Sequence, residues 1–561
     1  TTLAGSTTSF AYDAAGNLTL VTDPLGHEAA FAYDAAGNLT ESTDALGTST
    51  GFAYDAGGNL LAVTDPLGAS AHFTYDASGN RDSATDARGN TTAFGYDPMN
   101  LLTGVTDALG ASTAYTYDAN YNLASVTDAR GNATAYTYDA ADRLAALTNP
   151  LGHTWTFEHD PSGNLTKTTY PDGTHAIRTY TARDELASLT LPTGESYAYA
   201  YTPTGWLSDV TDGAGSATAF DYDVLGRLTS ATDAHNPALA SGHTVTYAHD
   251  EAGRVTGVRL SAEETRTYTY DLRGDLIRMG LASDNPGMET AYAHDAARRR
   301  TSVTLPDGSA RAYAYDPAGR LASIATTMSS GVLAHTYERD AAGNVIAENA
   351  ERYAYDALGR LTQWYSPSAE ATTTYAYDPA GNLLSATRAG QALKSFTYDA
   401  ANRISSPGYS YDARGNLTAS PGRTYAYDGA DRLVSVADAS AETTIAAYTY
   451  DFLNRRTSAT EGTQTVFFHY DGASPNVIAE TDASGATLAT YAYDDRGALH
   501  STVRDGATYY YHANHRGDVV ALTDAAGNVV NTYAYGPYGE ITHAEETVEN
   551  PYRYAGYRFD E

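Results

Sequence analysis

Aromatic and small residues alternate in short runs along this chain, and each early run ends in tyrosine followed by aspartate. In Ser9 to Ala29, SFAYDAAGNLTLVTDPLGHEA, Phe10 and Tyr12 lie two apart and share one face of a strand, while Ala11 turns to the other. The pairing recurs as Phe31/Tyr33, Phe52/Tyr54, Phe73/Tyr75, Phe94/Tyr96, Tyr115/Tyr117 and Tyr136/Tyr138. Asp13-Ala-Ala-Gly16-Asn17 predicts a tight turn, because aspartate accepts bonds from nearby amides and glycine tolerates positive φ. Leu18 to Thr22 predicts a second strand. Its apolar positions, Leu18 and Val21, are three apart, which fits either a bulge that shifts the face or a strand partly covered on both sides. Asp23-Pro-Leu-Gly26 predicts the second turn. Each unit is thus two strands and two turns of an antiparallel meander, and helical periodicity is nearly absent.

The units keep a period of 21 residues: Tyr12–Asp13 with Gly16, Tyr33–Asp34 with Gly37, then Tyr54–Asp55, Tyr75–Asp76, Tyr96–Asp97, Tyr117–Asp118 and Tyr138–Asp139. The phase persists through His159, Tyr180 and Tyr201 to Tyr222–Asp223 and becomes irregular afterwards, with insertions expected in turns. A fixed period of this size predicts one supersecondary unit stacked many times. Roughly 27 units would give about 54 strands and some 260 Å of sheet at about 4.8 Å per strand. Open twisted sheets rarely exceed about ten strands without curling. The array must therefore wind into a spiral, a tube or a closed shell, with aromatic ladders along one wall. No linker or composition shift marks a second domain.

Composition sharpens this picture. Tyrosine numbers 47 against 12 phenylalanines, and tyrosine suits a strand face that is only half dry. The formal net charge is -34, and all basic residues but Lys167 and Lys394 are arginine. Such a surface repels phosphates, so no nucleic-acid partner is expected. There is no cysteine, which removes disulfides and thiolate metal sites. No apolar run is long enough for a membrane span. Thr1 to Phe10 is unlike a signal peptide and opens in mid-pattern, which predicts a piece of a longer protein.

The unit xxFxYDxxGNLxxxxDxxG, as in Phe31-Ala-Tyr-Asp-Ala-Ala-Gly-Asn-Leu39, closely resembles the YD repeat of RHS-repeat proteins. These include bacterial Rhs and wall-associated polymorphic toxins, Tc toxin C components and animal teneurins. Tyr509-Tyr-Tyr-His512-Ala-Asn-His515-Arg-Gly517, Ala521-Leu-Thr-Asp524 and Asn550-Pro-Tyr-Arg-Tyr-Ala-Gly-Tyr-Arg-Phe-Asp-Glu561 resemble the start of the RHS core-associated region. The resemblance implies an all-β chain wound into a hollow shell. It implies a wall over 1–504, regular to about 223, and the beginning of the core-associated region over 505–561. In that family the shell encloses a C-terminal toxin released after a DPxGxxxxxP-type motif. Here the DPxG sequences at Asp23, Asp65, Asp160, Asp316 and Asp378 lack the downstream proline and read as turns.

No candidate chemistry stands out beside this architecture. The aspartate turns lack the EF-hand order, and no G-x-S-x-G, Walker loop or H-E-x-x-H occurs, so no catalytic, cofactor or metal residue is assigned. His512 and His515 read as packing residues, and Asn-Leu-Thr at Asn17, Asn38, Asn164 and Asn416 as turn chemistry rather than glycosylation sites. The expected function is a non-enzymatic, secreted or cell-surface bacterial shell around a toxin or other polypeptide, with a secretion-system or surface partner. The rival is an adhesin or filament scaffold that associates through open sheet edges.

Overall fold

The computed structural model describes residues 6–239, 242–260, 264–281, 289–441 and 443–559. Asp560 and Glu561 of the C-terminal motif lie outside them. Among the described residues there are 51 strands and a single 3-10 turn, Tyr554–Gly556. No helix among them is long and apolar enough to cross a membrane. Each strand pairs antiparallel with the next in sequence, as Ser9–Tyr12 does with Leu18–Thr22, and that strand with Glu28–Tyr33. The strands form sheets of 37 and 14. Among the described residues the array is interrupted once, between Gln391–Ser395 and Ser410–Tyr411, where only the bridge Tyr398↔Ile404 forms. Pairing continues across residues 504 and 505.

Local chemistry explains the unit. Asp13 accepts from the amides of Ala15 and Asn17 through Oδ1 (2.9 and 2.8 Å), and from Asn17 Nδ2 through Oδ2 (2.9 Å). The Gly16 amide closes the turn on the Asp13 carbonyl, at φ +90°, a conformation glycine adopts without a Cβ penalty. A bulge follows: Ala11 faces Leu20, but Tyr12 faces Leu18. Phe10 faces Val21, so Leu18 and Val21 end up beneath the two aromatic rings of one face. The bulge is the answer to their irregular spacing.

The tyrosine hydroxyl has its own task. Between Leu60–Thr64 and Ser70–Tyr75 the ladder registers only from Ala62↔His72 to Thr64↔Ser70, and towards the rim it lapses. There the Tyr75 hydroxyl donates to the Leu60 carbonyl at 3.0 Å. Tyr96, Tyr117 and Tyr138 do the same to Arg81, Leu102 and Leu123, at 3.1, 2.9 and 3.0 Å. Phenylalanine fills the equivalent of Phe10 but cannot make this bond. Tyr117→Phe is therefore expected to cost about 0.5–1.5 kcal/mol. Tyr115→Phe, two residues earlier, should stay within about 0.5 kcal/mol. Denaturant midpoints of the two variants check the contrast.

Contacts distant in sequence define the winding. Asp23 meets Arg273, Arg88 bonds the carbonyls of Asp356 and Ala357, and Arg130 those of Tyr398 and Asp399. Further along, Glu195 meets Arg432, Arg300 meets Asp494, and Tyr377 meets Tyr538. Both partners advance along the chain together, as in a spiral; a sheet folded back on itself would pair an advancing residue with a receding one. The separation falls from 269 residues at Arg130 to 194 at Arg300 and 161 at Tyr377, so the spiral tightens. One winding thus contracts from about 25 strands to about 15, roughly 120 Å to 70 Å of circumference at about 4.8 Å per strand.

Packing follows from the tightening. No described residue before Thr168 is buried, so the early wall is a single layer. Later the tighter winding lies on the aromatic face of the wider one: Ile478 packs with Val245 and Val258, and Ala492 and Tyr510 with Met279, Tyr292 and Val303. Ile478, Ala492 and Tyr510 belong to the face opposite the Tyr–Asp tyrosines. The aromatic face of the wall therefore points inward. Residues 547–559 form a third layer, with Tyr552 packed against Tyr491, Tyr511, Tyr533 and Tyr535.

Candidate functional site: the inward face and its seam

In the single-layered part the inward face is a field of half-buried rings. Tyr33, Tyr54, Tyr75, Tyr96, Tyr117 and Tyr138 are all half-buried, whereas Tyr12 in the first strand is 61% exposed. Asp13, Asp34, Asp55, Asp76, Asp97, Asp118 and Asp139 sit at one rim as turn acceptors, and Gly16 and Gly37 close those turns at positive φ. No two of these aspartates converge on a shared point. Much of the negative charge thus lies at the rims, where it is occupied with amides. In several later turns an arginine replaces Asn17. Arg143 donates to Asp139 and to the next turn's Asp160 carbonyl, and its hydrogen bonds hold the Asp139 carboxyl down at about 2. Arg254, Arg299 and Arg360 lie over Tyr270, Tyr315 and Tyr377, 4.8, 4.5 and 4.8 Å from the ring centroids.

A second set of arginines fastens one winding to the next. Arg88, Arg130, Arg273 and Arg414 each occupy the third position of an Asp-x-Arg-Gly turn. Arg130 Nη1 donates to the Asp399 carbonyl and Asn402 Oδ1 at 2.8 and 2.9 Å, pinning the segment between the two sheets. Arg414 reaches Asp172 at 3.2 Å and lies 3.6 Å from the Tyr170 ring centroid. The short signature Asp-x-Arg-Gly was present in the sequence but carried no hint of a distant partner.

At the tight end the chemistry becomes denser. Arg558 of the terminal segment pairs with Glu480, which also accepts from the Tyr491 hydroxyl at 3.0 Å. A cavity of about 750 Å³ opens between this segment and both windings, bordered by Arg311, Arg456, Tyr493, Arg496, Tyr511 and Arg558. His512 is fully buried, with Nε2 2.9 Å from Thr523 Oγ1, while the His515 ring packs tilted against Tyr337, with centroids 4.4 Å apart and planes at 59°. Burial pushes His512 well below the ordinary imidazole range and His515 down to about 4, so both are neutral near pH 7.

These features define a class: an all-β repeat wall wound into a hollow shell, with its aromatic face inward. The Teneurin YD-shell family matches residues 333–558. The RHS Repeat family matches 1–28, 201–236, 300–333 and a series of overlapping segments from 33 to 175. The chain belongs to the RHS/YD-repeat proteins. It is similar to the tRNA3(Ser)-specific nuclease WapA of Bacillus spizizenii, with 30% identity over 214 residues, 36% of this chain and 9% of that protein. It is also similar to the Double-stranded DNA deaminase toxin A of Burkholderia cenocepacia, with 32% identity over 146 residues, 24% of this chain and 10% of the relative. The chain thus spans about a tenth of the length of these relatives. Among solved structures, TcdB2-TccC3-TEV matches with a TM-score of 0.66 and 17% identity over 99% of this chain and 33% of its own. The Photorhabdus luminescens Tc holotoxin pore matches with a TM-score of 0.65, 16% identity, 99% of this chain and 36% of its own. At such identities these two speak for the shared shell fold alone.

Proposed function

We propose that this chain is a non-enzymatic wall that encloses a polypeptide, a toxin segment in a secreted or cell-surface bacterial protein. The observation that carries the reading is the inward aromatic face of a tightening spiral, half-buried and unlayered over the first third of the chain. Half-wet tyrosines offer an extended polypeptide apolar area and hydroxyls together. On this reading residues 1–504 are wall and 505–561 begin a core-associated region that closes the tight end. Tyr12, Asp13, Gly16 and their copies act as fasteners. The toxin names of the relatives supply the class of cargo, and any nuclease or deaminase activity is assigned to such a cargo rather than to the wall. A flexible polypeptide fused after residue 561 should resist a large protease far longer than the same polypeptide free in solution. Equal digestion rates would reject enclosure. Among the described residues the internal strand Gln391–Ser395 is exposed throughout and pairs only with Leu383–Arg388, which supports the rival of edge-to-edge association. Long polymers in sedimentation would favour that rival.

A further inference from the structure

Three residues far apart in the chain meet where the tighter winding presses on the wider one. Asp233 ends the strand Leu228–Asp233, His243 begins His243–His249, and the two face each other across the ladder. His469 comes from Gln464–Tyr470 of the inner winding, 236 residues beyond Asp233, and is fully buried. Its Nδ1 lies 3.1 and 3.2 Å from the two carboxylate oxygens of Asp233. Its ring stacks on His243 with centroids 4.4 Å apart and planes 24° from parallel. One donor atom from each of the three residues lies within 4.8 Å of the other two.

The surroundings hold this arrangement in place. His469 Nε2 is 2.9 Å from Thr481 Oγ1, and Asn236 Nδ2 donates to that same oxygen at 2.8 Å and to the Asp482 carbonyl at 3.1 Å. The His469 ring is thus fixed by its far nitrogen, the support usually given to a metal-bound imidazole. Nδ1 of His243, by contrast, is shut away from solvent with no hydrogen-bond partner among the described residues. Leaving a buried polar atom unpaired is costly. A cation shared by the three side chains would give the His243 ring a partner and neutralise the Asp233 carboxylate.

We propose that Asp233, His243 and His469 bind a divalent transition-metal ion of the zinc type and that this ion staples successive windings of the shell. Two imidazoles and a carboxylate suit zinc rather than magnesium or calcium, which prefer all-oxygen sets. Bond lengths of about 2.0–2.2 Å require side-chain rotations that unstack the two rings and draw the three donors together. Three protein ligands leave a fourth position for water. Because the ligands come from both windings, ion binding closes a loop of more than two hundred residues and stabilises the wound state over the unwound one. The inference concerns the wall itself and holds whatever the shell encloses.

The test uses the full chain after chelation and dialysis. Zinc should bind with one tight equivalent per chain and raise the melting temperature by about 2–4 °C at saturating ion, while magnesium and calcium do neither. His243→Gln, at a half-buried position that leaves the core intact, should weaken that equivalent at least tenfold and abolish the thermal shift. His469→Gln should do the same if it folds, as judged by its far-ultraviolet spectrum. No tight equivalent in the parent chain, or one that His243→Gln retains in full, would overturn the proposal.

Discussion

Replacing Arg300 by alanine is expected to destabilise the wound state by about 3–5 kcal/mol. Arg300 belongs to the wider winding, and its guanidinium reaches across to Asp494 and Asp495, both at 2.5 Å, while lying 4.6 Å from the centre of the Tyr292 ring. Arg300 and Asp494 expose only 7% and 9% of their side chains. Burial pushes the Asp494 carboxyl up, and the Arg300 charge more than offsets this, holding it below the usual range. Truncation to alanine leaves that carboxylate buried without its cation, which is why the loss exceeds that of an ordinary surface pair. Arg143→Ala at the rim, where the side chain is 31% exposed, is expected to cost about 1 kcal/mol. Chemical denaturation of both variants beside the parent checks the ranking, and equal effects would mean that the seam contributes nothing special.

Acidification from pH 7 to pH 5 is expected to remove about 2 kcal/mol for each of His500 and His515. Burial pushes His500 down to about 3, with the nearby Arg311 adding to it, and His515 down to about 4 against the opposing pull of Glu348. A folded-state value below that of the unfolded chain means that unfolding takes up a proton between the two. The contribution is therefore complete above about pH 6.5 and is lost as the pH falls towards the folded values. Both residues lie where windings meet: His500 Nε2 is 2.7 Å from Thr290 Oγ1, and His515 packs on Tyr337. The tight end should loosen first. Below about pH 4 the turn aspartates follow, since hydrogen bonds hold Asp139 and its counterparts below the ordinary carboxylate range and their share is lost on protonation. Thermal melts across this range check the sign, and a melting temperature that rises on acidification would contradict it.

The local unit could be read from residues because its causes are local. Asp13, Gly16 and Asn17 determine their turn within five positions, and the two-residue spacing of Phe10 and Tyr12 defines the inward face. Even the awkward gap between Leu18 and Val21 announced an irregularity, although only the pairing of Tyr12 with Leu18 showed that it was a bulge. The seam could not be read this way. Arg130 and Asp399 are 269 residues apart, and which turn meets which depends on how many strands complete a winding, a sum of small twists no single residue encodes. The same limit hid Asp233, His243 and His469, which look unrelated in sequence. The change of the outward face from alanine to His469, Tyr510 and His512 is legible in retrospect as the mark of a second layer.

The enclosing role of the inward face is best tested by placing a photo-cross-linker at single cysteines, since the chain has none of its own. Thr113 shares the face of Tyr115 and Tyr117, whereas Thr116 lies on the opposite face and is exposed. With a polypeptide fused after residue 561, a cross-linker at Thr113→Cys should capture that polypeptide within the same molecule, and one at Thr116→Cys should not. Capture from Thr116→Cys alone, or from neither position, would contradict the account of the chain as an enclosing wall.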